Sequence, residues 1–229
     1  MPEIYVNPIL RGRNKRMIII NPYNFLNNIP SDGLMAYYPF NGNANDESGN
    51  GHNGTVYGAI LTTDRKGNPN KAYSFDGINN YIGLGTISTA GYTEITVSLW
   101  LKPMNINEGI KCMLTYSGYF ACYYSRFTPG KFFCLFDGSS GGEDETNESS
   151  TTMAIENWYH LVGTNDGAYT RLYVNGILEN TFPELIATGS QNSFIGKSSS
   201  GQFTNGSIDD IRIYNRALTE QEITTLYNE

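Results

Sequence analysis

An all-β, two-sheet antiparallel sandwich with a short C-terminal helix and an extended N-terminal arm is the fold this sequence predicts. Three observations predict it. Apolar residues alternate over short stretches instead of recurring at helical spacing. Clusters of Gly, Asn, Asp and Pro separate those stretches. The composition, with 25 Gly, 13% aromatic and only 16% charged residues, is rich in turns and strand formers. A length of 229 residues suits one large sandwich, which at that size buries roughly 70% of its unfolded surface. The same composition is too aromatic for a disordered chain and too poor in helix formers for a bundle. The longest apolar candidate, residues 17–20 (MIII), falls far short of the ~18 residues of a membrane span, so no membrane partner is expected.

Residues 1–30 stand apart from the rest. Pro2, Pro8, Pro22 and Pro30 favour extended chain over helix. Four basic side chains, Arg11, Arg13, Lys15 and Arg16, stand against Glu3 alone, whereas the whole chain carries a net charge of −7. This segment reads as an anchoring arm, either packed on its own domain or adding to other subunits. Its partner contacts are expected at Arg11, Arg13, Arg16, Ile18 and Ile20. The acidic remainder argues against a phosphate backbone as ligand, and the basic cluster lacks aromatic interleaving, so no nucleic acid is expected.

The domain starts at Ser31. Residues 34–40 (LMAYYPF) open it as a strand, with Pro39 marking an edge or bulge. Residues 41–54 (NGNANDESGNGHNG) form a polar loop. Residues 72–75 run into Asp76-Gly77, a hairpin-type turn, and on to Tyr81-Ile82. Ile95, Val97, Leu99 and Leu101 alternate with Thr96, Ser98 and Trp100, a strand with one face buried. Further strands follow at 114–124 and 132–136, joined by Pro129-Gly130, and at 158–162 and 171–174. Asn175-Gly176 is the strongest hairpin turn in the chain, returning through residues 177–182. Residues 207–214 form the last strand, and Thr219 with Glu222 makes a capping box that opens a helix over 220–227.

Cys112, Cys122 and Cys134 lie in apolar, strand-like contexts. They read as three buried free thiols of a chain folded inside a cell, with one disulfide plus one free thiol as the alternative. C-x-x-C spacing is absent, so zinc is not expected. MPEIYVNPIL has no export-signal pattern, and the chain reads as starting at its own Met1.

Five segments in order carry a resemblance: GLMAYYPFNGNANDESGNGHNGTVYGA, AYSFDGINNYIGLG, TVSLWLKP, NWYHLVGTNDGAYTRLYVNGILE and GSIDDIRIYNRALTEQEITTLYN. Over residues 31–229 the chain resembles the concanavalin A-like lectin/glucanase superfamily, specifically the laminin-G-like (LamG) jelly-roll domain of phage and bacterial surface proteins. The resemblance implies two antiparallel sheets and a structural Ca2+. Its metal residues fall on Asp46, Asn50 and His52 of the first loop and on Asp209 and Asp210 before the last strand. Hard oxygens in a Gly-rich loop suit that ion. Without it, Asp46 caps a turn and Asp210 pairs with Arg212. Residues 137–150, with Asp137, Glu143, Asp144, Glu145 and Glu148, are a second acidic stretch and read as a solvated loop.

Glucanase relatives place catalytic carboxylates in an E-x-D-x-x-E pattern on one strand face. No Glu here is followed by Asp two positions later, and a non-catalytic protein is expected. Glycan binding would draw on exposed aromatic rings from among Tyr57, Tyr92, Tyr116, Tyr119, Tyr123, Tyr124 and Tyr169, with no clustered set discernible. Taken with the arm, the resemblance implies a virion structural or decoration protein. It would be made in the host cytoplasm and oligomeric on a phage capsid or tail, bound to other virion proteins through residues 1–30. A surface glycan is the candidate ligand. An adhesion module of a bacterial cell-surface protein is the alternative, and a glycoside hydrolase a remote one.

Overall fold

The computed structural model describes residues 29–107, 109, 111–116, 120–136 and 145–229. Two antiparallel sheets face each other. The larger contains β1 (Leu34–Tyr38), β3 (Ile60–Thr62), β4 (Ala72–Asp76), β6 (Ile95–Pro103), β10 (Tyr159–Asn165), β11 (Tyr169–Val174), β12 (Ile177–Pro183) and β14 (Asn205–Tyr214). Its order is β12-β11-β10-β6-β14-β4-β3, with β1 also paired to β14. The smaller sheet runs β2 (Thr55–Tyr57), β5 (Tyr81–Ser88), β13 (Ser190–Ile195), β7 (Lys111–Tyr116), β8 (Phe120–Tyr124) and β9 (Phe132–Leu135). The all-β sandwich is therefore as the sequence predicts. Inward residues such as Ile82, Leu84, Val97, Leu99, Leu101, Ile195 and Ile208 form the main core between the sheets.

A second, smaller core lies on the outer face of the larger sheet. Helix α1 (Glu220–Tyr227) lays Ile223 and Leu226 with Leu218 against Val162, Tyr173 and Tyr214, and Ile29 and Leu34 pack on the same cluster. The Pro30 carbonyl also accepts a 3.0 Å bond from the Tyr214 hydroxyl, so the packed unit begins before Ser31. This covering corrects the reading of β6 as half-buried. Thr96, Ser98 and Trp100 are as enclosed as Val97 and Leu99, because the helix and the segments around it roof their side of the sheet.

Two further expectations are corrected. Asp76-Gly77 does not turn a hairpin: β4 pairs with β3 and β14, whereas β5 pairs with β2 and β13. The Asp76 carboxylate accepts the backbone N–H groups of Ile78, Asn79 and Asn80, which holds the chain in a loop that passes between the sheets. The cysteines are not three free thiols. Cys122 and Cys134 sit opposite each other in the β8–β9 register and form a disulfide, while Cys112 stays free and buried. With that bridge, thiol usage no longer indicates a reducing compartment. Asn175-Gly176 does turn the β11–β12 hairpin, both residues having positive φ (51° and 78°).

Candidate functional site

Strand β14 is the longest and carries the paired acids. Residues 205–208 pair with β4 and residues 211–214 with β1, and a bulge between Asp209 and Arg212 marks the changeover. Asp210 takes the left-handed conformation there (φ 49°), so both carboxylates turn to one side. Arg65, from the turn before β4, meets them: Nη1 lies 2.8 Å from Asp209 Oδ2 and Nη2 2.9 Å from Asp210 Oδ2. Arg212 adds Asp210 at 3.1 Å and Glu229 at 2.6 Å. Its Nη2 donates to the Tyr37 hydroxyl at 3.0 Å. The Arg65 guanidinium also lies 4.8 Å over the Trp100 ring, which α1 covers with Tyr227.

Burial sets the electrostatics of this network. It pushes the Asp209 carboxyl up to about 6 against the pull of Arg65, and it raises Asp210 against Arg212 and Arg65. Burial opposes the charge on Arg212, but Asp210 and its other neighbours outweigh it and hold the guanidinium above its ordinary value. Nearby, His160 is pushed down to about 3 by burial and by Arg65 and Arg212. It stays neutral, 2.9 Å from Ser98 Oγ. A polar pocket of about 180 Å³ opens onto the network, lined in part by Tyr37, Asp64, Lys66 and Lys71.

The first loop is built around Asp46. Its Oδ1 accepts the N–H groups of Tyr37 (3.0 Å) and Ser48 (2.9 Å), and Oδ2 accepts that of His52 (3.0 Å). Burial raises this carboxyl, but those amides more than reverse the effect and leave it below the usual range. The His52 carbonyl is taken by the Tyr38 hydroxyl at 2.7 Å. Asn50 Nδ2 donates to the Leu34 and Met35 carbonyls.

These residues do not fit a divalent cation as they stand. The carboxylates of Asp209 and Asp210 are paired with guanidinium groups, both Asp46 oxygens accept amide protons, and the His52 carbonyl already accepts the Tyr38 hydroxyl. Among the described residues no group of three or more His, Cys, Asp or Glu is placed to hold a metal ion. Sequence reading gave the Asp210–Arg212 pair only as the alternative to a cation, and it missed Arg65, which lies 144 positions from Asp209. Of the second acidic stretch, Glu148 is buried and accepts the N–H groups of Phe127 and Thr128, while residues 137–144 lie outside the described residues. So do Arg11, Arg13, Arg16, Ile18 and Ile20 of the arm.

A different surface emerges on the smaller sheet. In β5, Ile82 and Leu84 face the core, so Tyr81 and Gly83 face out. Tyr57 of edge strand β2 lies directly opposite Tyr81, and Phe194 of β13 opposite Gly83. The Tyr57 and Tyr81 rings stack at 4.6 Å and 13°, and Phe194 meets Tyr81 edge-on at 5.8 Å. Gly83 leaves room beside the pair: a Cβ there would make a tight contact, 3.3 Å, with the Tyr57 ring. Tyr57 remains 49% exposed. Lys197, just past β13, places its ammonium 4.4 Å from the Tyr81 ring and 4.7 Å from that of Phe194. Of the tyrosines considered from sequence, Tyr116, Tyr123 and Tyr124 are buried and Tyr92 packs against the core. Tyr169 is exposed elsewhere on β11, and Tyr119 lies outside the described residues. Tyr81, Phe194 and Lys197 had no sequence signal, because strand pairing alone brings them to Tyr57.

Comparison with known proteins agrees with this architecture. A family model of the concanavalin A-like lectin/glucanases superfamily matches residues 76–224. Domain 4 of AbnA, a GH43 extracellular arabinanase from Geobacillus stearothermophilus solved with arabinotriose, is 24% identical with a TM-score of 0.68, over 85% of this chain and 98% of that one. The receptor-binding domain of a botulinum neurotoxin C/D mosaic is 16% identical (TM-score 0.62), over 87% of this chain and 52% of that one. Trypanosoma rangeli sialidase is 16% identical (0.64), over 87% of this chain and 33% of that one. This chain thus spans about half of the neurotoxin structure and a third of the sialidase. The fold is shared by binding domains and by parts of glycoside-cleaving enzymes, and at these identities it is the fold alone that is shared. No curated protein sequence matches significantly. With more than half of its length matched by the family model and two facing antiparallel sheets, the chain belongs to the concanavalin A-like lectin/glucanases superfamily.

Proposed function

We propose that this protein is a non-catalytic glycan-binding module whose receptor surface is the outer face of β2, β5 and β13. The observation that carries the reading is the Tyr57–Tyr81 stack, flat against Gly83 and open to solvent. Sugar rings present apolar C–H faces that pack on aromatic faces, and a rigid, pre-stacked pair costs little entropy to order. The arabinotriose complex of AbnA domain 4 supports sugar binding by a domain of this shape. Against catalysis stand the lack of an E-x-D pattern and the neutralisation of Asp209 and Asp210 by Arg65 and Arg212. Affinity electrophoresis in gels containing arabinan and other plant and bacterial polysaccharides tests the reading. At least one polysaccharide should retard the protein, and Tyr57→Ala should weaken that binding by roughly tenfold without lowering the thermal midpoint. Equal retardation of variant and parent would remove this surface from the site.

At a finer level, the module is displayed on a larger assembly, a phage particle, with residues 1–30 as its anchor. The support is the sequence of that segment, basic and proline-rich before an acidic domain. The solution mass of the full chain against that of residues 29–229 tests it.

A further inference from the structure

We propose that Lys197 makes this surface selective for anionic glycans, those bearing a uronate-type carboxylate or a sulfate ester. The proposal rests on the reading of the Tyr57–Tyr81 face as a sugar platform and names its ligand class. An aromatic ring has two faces. With Tyr57 stacked at 4.6 Å on one face of Tyr81, the Lys197 ammonium at 4.4 Å occupies the other. Phe194 at 4.7 Å and Phe203 at 5.9 Å complete its surroundings. An antiparallel bridge between Lys197 and Phe203 fixes the backbone that carries it.

Among the described residues this ammonium has neither a carboxylate nor a hydrogen-bond partner, although the protein carries 22 acidic side chains against 15 basic ones. Arg65, Arg171, Arg212 and Arg216 all sit on carboxylates. Aromatic quadrupoles hold a cation in place but satisfy none of its three N–H donors. The position therefore presents a pre-oriented positive charge with unused donors, one ring beyond the open face of Tyr57. A sugar stacked on Tyr57 would direct a neighbouring residue of its chain toward that charge. Thr86 and Asn192, hydrogen-bonded across β5 and β13 at 3.0 Å, extend the same sheet region with neutral polar groups. Lys197 thus supplies the charge selectivity there.

The test measures binding of the full chain by titration calorimetry against polygalacturonate, a sulfated dextran and neutral arabinan, at low and at moderate salt. Parent protein, Lys197→Met, Lys197→Arg and Tyr57→Ala are compared. The expected result is a preference for one or both anionic polymers that shrinks with salt. Lys197→Met should lose about tenfold toward the anionic polymer, a larger loss than toward the neutral one, and Lys197→Arg should keep the preference. Binding of the carboxylated polymer, the sulfated one or both identifies the anion. Equal affinity for neutral and anionic polymers, or an unchanged preference in Lys197→Met, overturns the assignment to Lys197. No effect of Tyr57→Ala on any polymer, or no binding of any of them, overturns the platform itself.

Discussion

Arg65 shows how one side chain sets the role of two others. Asp209 and Asp210 are adjacent acids that, left alone on a bulge, would repel each other and attract a cation. Arg65 gives each a nitrogen in a forked arrangement that suits guanidinium, not ammonium. Arg65→Met keeps much of the volume over Trp100 but leaves Asp209 buried without its partner. We expect a loss of ~3–5 kcal/mol in denaturant unfolding. The parent should melt at the same temperature with calcium or with chelator, and a calcium-dependent midpoint should appear only in the variant. A parent that loses stability in chelator would show that a cation, not Arg65, balances these acids. Gly163 is a second single-residue constraint: a Cβ there would lie 2.6 Å from Cys134 Sγ. The disulfide thus packs onto β10 of the facing sheet, and only glycine admits it.

At the scale of elements, α1 was the most legible and β13 the least. Thr219 and Glu222 form the capping box their spacing announces, with Thr219 Oγ1 accepting from Glu222 N and Glu222 accepting from Thr219 N. The structure adds Arg216, whose Nη2 lies 2.6 Å from Glu222 Oε1. The hydrogen bond from Arg216 is the main cause that holds the Glu222 carboxyl down at about 2. A depressed carboxylate stabilises the fold above its unfolded pKa, and that contribution disappears as pH falls through the folded one. Glu222→Gln should therefore be less stable than the parent by about 1 kcal/mol at pH 7, a small value because the carboxylate is 29% exposed. The gap should close between pH 4.5 and 2, as followed by thermal melts across that range. A constant gap would assign the effect to packing. By contrast, β13 reads SQNSFI, with three exposed polar residues at its start, and β2 and β3 have three residues each. Alternation needs more length or more burial than these short or partly exposed strands offer.

For the molecule as a whole, the question is how the packed unit and the arm divide the work. The described unit already closes itself at its N-terminal side, through Ile29 in the outer core and the Pro30 carbonyl on Tyr214. Residues 29–229 should therefore fold without the arm. If the arm is an assembly element, light scattering of the full chain will show an oligomer beside a monomeric truncation. Two monomers of equal stability would leave the domain as a free-standing module and remove the support for display on a particle.

The two-sheet class, the C-terminal cap and the Asn175-Gly176 hairpin were determined by sequence alone. Each depends on residues within a few positions of one another, or on a period that burial imposes along one strand. The sheet to which each strand belongs, the Cys122–Cys134 pair, the grip of Arg65 on β14 and the meeting of Tyr57, Tyr81, Phe194 and Lys197 were decided by the tertiary structure. Those contacts join positions far apart in the chain, and only strand order and register bring them together.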